Sequence, residues 1–126
     1  MKRQIERDGF TFVIERDIDE DPCLDYLKQE YADIPDDERA RYLEQDAKRL
    51  KAFNRSEWYM MYVSVEARIV TSANWAIPTT VGRAYLHGIE SDSDDSYFAA
   101  VEEELIGEAT DDARETFKAL SAVFSK

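Results

Sequence analysis

The sequence predicts a single α+β domain: a small antiparallel β-sheet with helices packed mainly on one face, in the order β-α-α-β-β-α-α. Two observations carry most of this. Apolar residues recur at every second position through 9–14, 58–69 and 75–87, and at every third or fourth position through 39–55, 98–105 and 110–124. The chain also offers only four Gly and three Pro for turns, which favours a few long elements over many short ones. Its 126 residues suit one domain spanning 1–126, with no internal repeat and no flexible linker.

In order along the chain, Phe10, Phe12 and Ile14 alternate with Thr11 and Val13 and predict a first strand, which Ile5 could extend backwards. Pro22 and the charges around it end that strand. Leu24, Leu27 and Tyr31 then allow a short helix over 22–31 with Asp21 as its cap. Pro35 followed by Asp36, Asp37 and Glu38 starts a longer helix, because the acids sit at the positive end of its dipole. Ala40, Leu43, Ala47, Leu50 and Phe53 give it one apolar stripe.

From Trp58 the period becomes two, with Tyr59, Met61, Val63, Val65, Ala67 and Ile69 on one face. Thr71–Asn74 reads as a hairpin turn, and Trp75 to His87 as the returning strand, interrupted by a bulge or break at Pro78 and Gly82. Phe98, Val101 and Leu105 restore helical spacing, with Ser93 or Asp94 as cap. Gly107 weakens or ends that helix, and Ala113, Phe117, Leu120 and Phe124 mark a last one.

Charge is the most unusual property. The net charge is −12, and acid is concentrated in two segments. Residues 88–115 carry eleven Asp and Glu against Arg114 alone; residues 15–38 carry eleven against Arg16 and Lys28. The remainder is net basic. Such a surface repels nucleic acid and anionic membranes and attracts basic partners. Cys23 stands alone, which excludes an internal disulfide and a cysteine-based zinc site. No stretch has the length of a membrane span, and the first residues lack the apolar core of a signal peptide. The expectation is a soluble cytoplasmic protein with no cofactor.

The junction between sheet and helix, 88–98, holds Glu90, Asp92, Asp94 and Asp95 without a basic residue. Asp92, Asp94, Ser96 and Glu103 fall at positions 1, 3, 5 and 12 of a calcium loop. Tyr97 occupies position 6, where the sharp turn needs Gly, so calcium is rejected. Acids at a helix start explain Asp94 and Asp95 without any ligand. His87 is the only histidine and excludes a multi-histidine metal site; as a base oriented by Glu90 or Asp92 it is the one enzymatic alternative. No phosphate loop or nucleophile elbow is present.

Leu24-Asp-Tyr-Leu-Lys-Gln-Glu-Tyr31, Asp33-Ile-Pro-Asp-Asp-Glu-Arg39 and Gly88-Ile-Glu-Ser-Asp-Ser-Asp-Asp-Ser-Tyr-Phe98 together resemble a group of small acidic uncharacterised proteins of bacterial chromosomes and mobile elements. The resemblance spans roughly residues 20–105. It implies a phage or plasmid context and carries over no catalytic residue and no ligand.

The sequence therefore points to a non-enzymatic binding protein with a basic, nucleic-acid-binding protein as its partner. In its most concrete form it is a nucleic-acid mimic that inhibits a host defence or modifying system. The residues expected to carry this are Glu90, Asp92, Asp94, Asp95, Glu102, Glu103 and Glu104, on one continuous exposed surface. The competing expectation is a domain whose acidity serves solubility alone.

Overall fold

Alternating side chains build a four-stranded antiparallel sheet in the computed structural model, which describes residues 1–70 and 78–125, with backbone only at 70 and 78. Strands β1 (Lys2–Arg7), β2 (Phe10–Ile18), β3 (Met60–Val70) and β4 (Pro78–Glu90) lie side by side in that order. The expected turn at Thr71–Asn74 and the strand start at Trp75 fall outside the described residues.

The class is as the periodicity predicts, but the element order differs in three places. Ile5 belongs to a separate strand, because Asp8 and Gly9 turn the chain back with φ of 55° and 84°. Two positive φ values in a two-residue loop are what an Asp-Gly hairpin turn requires. The expected helix over 22–31 shrinks to a single 3-10 turn, Asp25–Leu27. Finally, Gly107 ends nothing. One helix, α2 (Asp95–Phe124), runs 30 residues, about 45 Å at 1.5 Å per residue. A mid-helix glycine costs about 1 kcal/mol, less than the burial of Leu105, Ile106 and Ala109 around it contributes.

Helix α2 covers one face of the sheet. Phe12 and Ile14 of β2 and Val63, Val65 and Ala67 of β3 point at it and form the core with Phe98, Val101 and Leu105. The fit is closest at Gly82. A Cβ there would overlap the Ala109 carbonyl oxygen and lie 2.7 Å from the Ala113 nitrogen. The bulge expected at Gly82 is present, since the register shifts between Ala67, paired with Gly82, and Arg68, paired with Thr80, and the same glycine is where helix and strand touch.

β4 carries two irregularities in its pairing with β3, one between Ala67 and Arg68 and one between Met61 and Val63. In each, β4 supplies an extra residue. Gly88, at φ 74°, lies in the second and adopts a backbone conformation that suits glycine. The edge of β4 is also touched by α2, where Asp112 accepts a hydrogen bond from the Arg83 backbone N–H at 2.9 Å.

Helix α1 (Asp36–Asn54) does not join this layer. None of its residues is buried, and Leu43 of its apolar stripe is exposed. Leu50, Ala52 and Phe53 pack onto a small second cluster of Leu27, Trp58 and Met60, and Tyr31 meets Tyr42 and donates to Asp46 of the helix. α1 therefore stands at the end of the sheet where β3 begins and β4 finishes. Beyond Met60, the sheet face opposite α2 carries no helix among the described residues.

Candidate binding surface

Two of the four acids of the junction, Glu90 and Asp92, are paired, and their partner comes from far along the chain. Arg49 of α1 donates to Glu90 Oε2 (2.9 and 2.5 Å) and to both oxygens of Asp92 (2.7 and 2.6 Å). Its guanidinium lies 3.9 Å from the centroid of Trp58, and the Trp58 indole N–H donates to the Arg49 carbonyl oxygen at 2.9 Å. These bonds, to Asp92 first and then Glu90, hold the arginine above its ordinary pKa against the opposing effect of burial. Arg49 in turn holds Asp92 below the usual carboxylate range.

On α2, Glu102 is 2% exposed and sits between two arginines of the first hairpin. Arg16 hydrogen-bonds its Oε1, and Arg3 Nη1 lies 2.5 Å from Oε2. The second contact is an ion pair without hydrogen-bond alignment, since Oε2 accepts no hydrogen bond from the described residues. Arg16 also lies 4.8 Å from the Phe98 ring. Beside it Glu103 takes two bonds from Arg7, at 2.8 and 3.1 Å, which lower its pKa.

The expectation of one continuous exposed acidic surface is thus corrected. Glu102 is buried, Glu103 turns to β1, and Glu90 and Asp92 turn to α1. Asp94, Asp95 and Glu104 are exposed. Asp94 stands at the N-cap position of α2, but its side chain makes no capping bond. The calcium-loop spacing likewise disperses, because Asp92 and Glu103 are held by arginines on different elements. Among the described residues, no three His, Cys, Asp or Glu come together as a metal site.

The second acidic segment is arranged differently. At the end of the open sheet face, Asp17, Ile18, Asp19, Glu20 and Asp21 line a cleft of about 360 Å³ with Tyr62 and His87. Asp17 pairs across the strands with Tyr62. Asp17, Glu20 and Asp21 have no basic partner among the described residues; Asp17 accepts only from the Ile18 N–H, and the Asp21 N–H donates to Asp19. Asp19 Oδ2 lies 3.6 Å from His87 Nδ1. That corrects the expected orientation of His87 by Glu90 or Asp92.

Two of the lining side chains, Tyr62 and His87, are rings, and Tyr85 adjoins them. Tyr62 and His87 centroids are 5.5 Å apart at 30°, and Tyr85 meets His87 edge-on at 5.2 Å. Tyr85 is 68% exposed. The Tyr62 hydroxyl points to Glu15 at 3.4 Å. Burial first, then the carboxylates of Glu15, Asp17 and Glu20, push the Tyr62 phenol above its ordinary pKa. Strand alternation puts Tyr62, Tyr85 and His87 on the face away from α2, and the extra residue of β4 near Gly88 then returns Ile89 to the core. The acidic count of 15–38 was visible in the sequence, but the rings that adjoin it were not.

Set against protein-family models, curated proteins and solved structures, the chain matches none. No helix among the described residues is long and apolar enough to cross a membrane.

Proposed function

We propose that this chain is a non-enzymatic binding protein whose acidic surface engages a basic partner. The observation that supports it is the contrast between its two acidic segments. Arginines of the chain itself neutralise Glu90, Asp92, Glu102 and Glu103, whereas Asp17, Glu20 and Asp21 have no basic partner among the described residues and lie beside an open cleft. Unpaired like charges repel and lower stability, so a rim of them costs the fold something that a cationic partner would offset. In its more specific form the proposal is a nucleic-acid mimic, with carboxylates standing in for phosphates before a basic groove. The carboxylates available to it are Asp17, Glu20 and Asp21, then Asp94, Asp95 and Glu104, rather than the whole of the seven first expected.

A displacement experiment tests this. A fluorescent DNA duplex is bound to a lysine- and arginine-rich DNA-binding domain, and the protein is titrated in at several salt concentrations. Displacement that weakens with salt, and weakens again on Asp17→Asn with Glu20→Gln, is the expected result, because exposed charges act mainly through association rate. Displacement unaffected by salt and by these substitutions would assign the acidity to solubility alone.

A further inference from the structure

The molecule places arginine against an aromatic ring and carboxylates twice with its own residues. Arg49 lies on Trp58 and is held by Glu90 and Asp92; Arg16 lies on Phe98 and is held by Glu102. The open sheet face repeats this arrangement a third time, with Tyr62, His87 and Tyr85 as the rings and Asp17, Glu20 and Asp21 as the carboxylates. Here no lysine or arginine of the described chain takes part.

We propose that this third arrangement seats an arginine side chain of an extended basic segment of a partner protein. The inference rests on the binding reading above and names the partner's contacting chemistry. Charge complementarity selects a cation. The rings select arginine over lysine, because a planar guanidinium stacks on a ring while offering paired N–H groups to a carboxylate; an ammonium is a compact, strongly hydrated charge. The shape fits as well. The cleft lies at the sheet's end beside exposed Tyr85, and the register places Ser64, Glu66 and Arg83 next along the same uncovered face, where an extended chain could lie. On that path Glu66 is bound by Arg68, so the free negative charge lies at the Asp17–Asp21 end and fixes where the arginine sits.

The test uses the isotope-labelled full chain and three blocked peptides: Gly-Arg-Gly-Arg-Gly, its lysine counterpart and its glutamate counterpart. The arginine peptide should shift the amides of residues 17–21, 62 and 85–88, and bind more tightly than the lysine peptide. Tyr85→Leu and Asp17→Asn should each weaken it about fivefold, the size of one cation–π or exposed ionic contact, while Glu104→Gln leaves it unchanged. Tyr85 and Asp17 are exposed, so both variants keep the fold, and circular dichroism checks this. Equal binding of arginine and lysine peptides, with shifts spread over Asp94, Asp95 and Glu104, would overturn the seat and leave the acidic-binding reading standing. Absence of binding by either basic peptide at low salt would overturn both.

Discussion

Arg49 holds Asp92 through two separate nitrogens, at 2.7 and 2.6 Å, and in doing so fastens helix α1 to the corner between β4 and α2. Little else does. α1 buries no residue of its own, so this ion pair, the contact with Trp58, a small apolar cluster and the contacts of Tyr31 with Tyr42 and Asp46 hold it in place. Replacing Arg49 with Met should lower stability by about 2 kcal/mol, the scale of charge-assisted hydrogen bonds in a partly exposed site. Arg49→Lys should recover less than half of that, since an ammonium does not reproduce the forked geometry. Urea unfolding followed by tryptophan fluorescence measures both; equal stability of the lysine variant and the native chain would refute the geometric part.

Acid should weaken the fold from a definite point. Arg49, Arg68 and Arg7 hold Asp92, Glu66 and Glu103 below the usual carboxylate range in the folded chain. The unfolded chain then binds more protons than the folded one as pH falls below about 4, so the stability these pairs give at neutral pH is lost there. Urea midpoints measured across pH should be level near neutrality and fall steeply below that value. In Arg49→Met the fall should be shallower, because Asp92 no longer differs between the two states.

Two glycines should respond oppositely to alanine. Gly82→Ala pushes a methyl group into the Ala109 carbonyl and forces helix and strand apart, at a cost of about 2–3 kcal/mol. Gly107 has nothing within 4 Å of the added atom, so Gly107→Ala should raise stability by about 0.5–1 kcal/mol. Thermal melting of the pair decides the matter, and a stable Gly82→Ala would mean that the contact yields.

Glu102 should be costly to remove alone. Glu102→Leu strands Arg16 and Arg3 beside an apolar core, and the expected loss is about 3 kcal/mol, at the lower end for a buried pair because both arginines reach solvent. Pairing it with Arg16→Met should restore most of that loss. Additive losses in the double variant would show that the two residues act independently.

Much of the fold was legible because period reports burial directly. The faces of β3 follow the alternation from Met61 to Ile69, and the change to helix after Gly88 occurs where the spacing changes. The β1–β2 hairpin was equally legible in principle, since Asp8-Gly9 is a hairpin turn signal. Gly107 misled because propensity is a local quantity, and the apolar neighbours that overrule it are buried only by tertiary packing. The site was read least well, for a reason that charge counting contains. Residues 88–115 hold one arginine of their own, but Arg3, Arg7, Arg16 and Arg49 reach them from 41 to 99 positions away. A sum over a segment measures charge in sequence, whereas pairing happens in space.

The hydrogen bond from the Arg83 N–H to Asp112 bears on how many molecules can gather at once. An outer strand with free backbone groups is a template: a second chain can lengthen the sheet, present its own free edge, and so on without limit. Here α2 lays a carboxylate on that template, and the irregularities of β4 bend it out of register with any straight newcomer. Growth by strand addition is discouraged along this edge, while the ring-lined face stays open. Contacts made there by side chains end with a single occupant. Copies of the chain are thereby hindered from joining one another through β4.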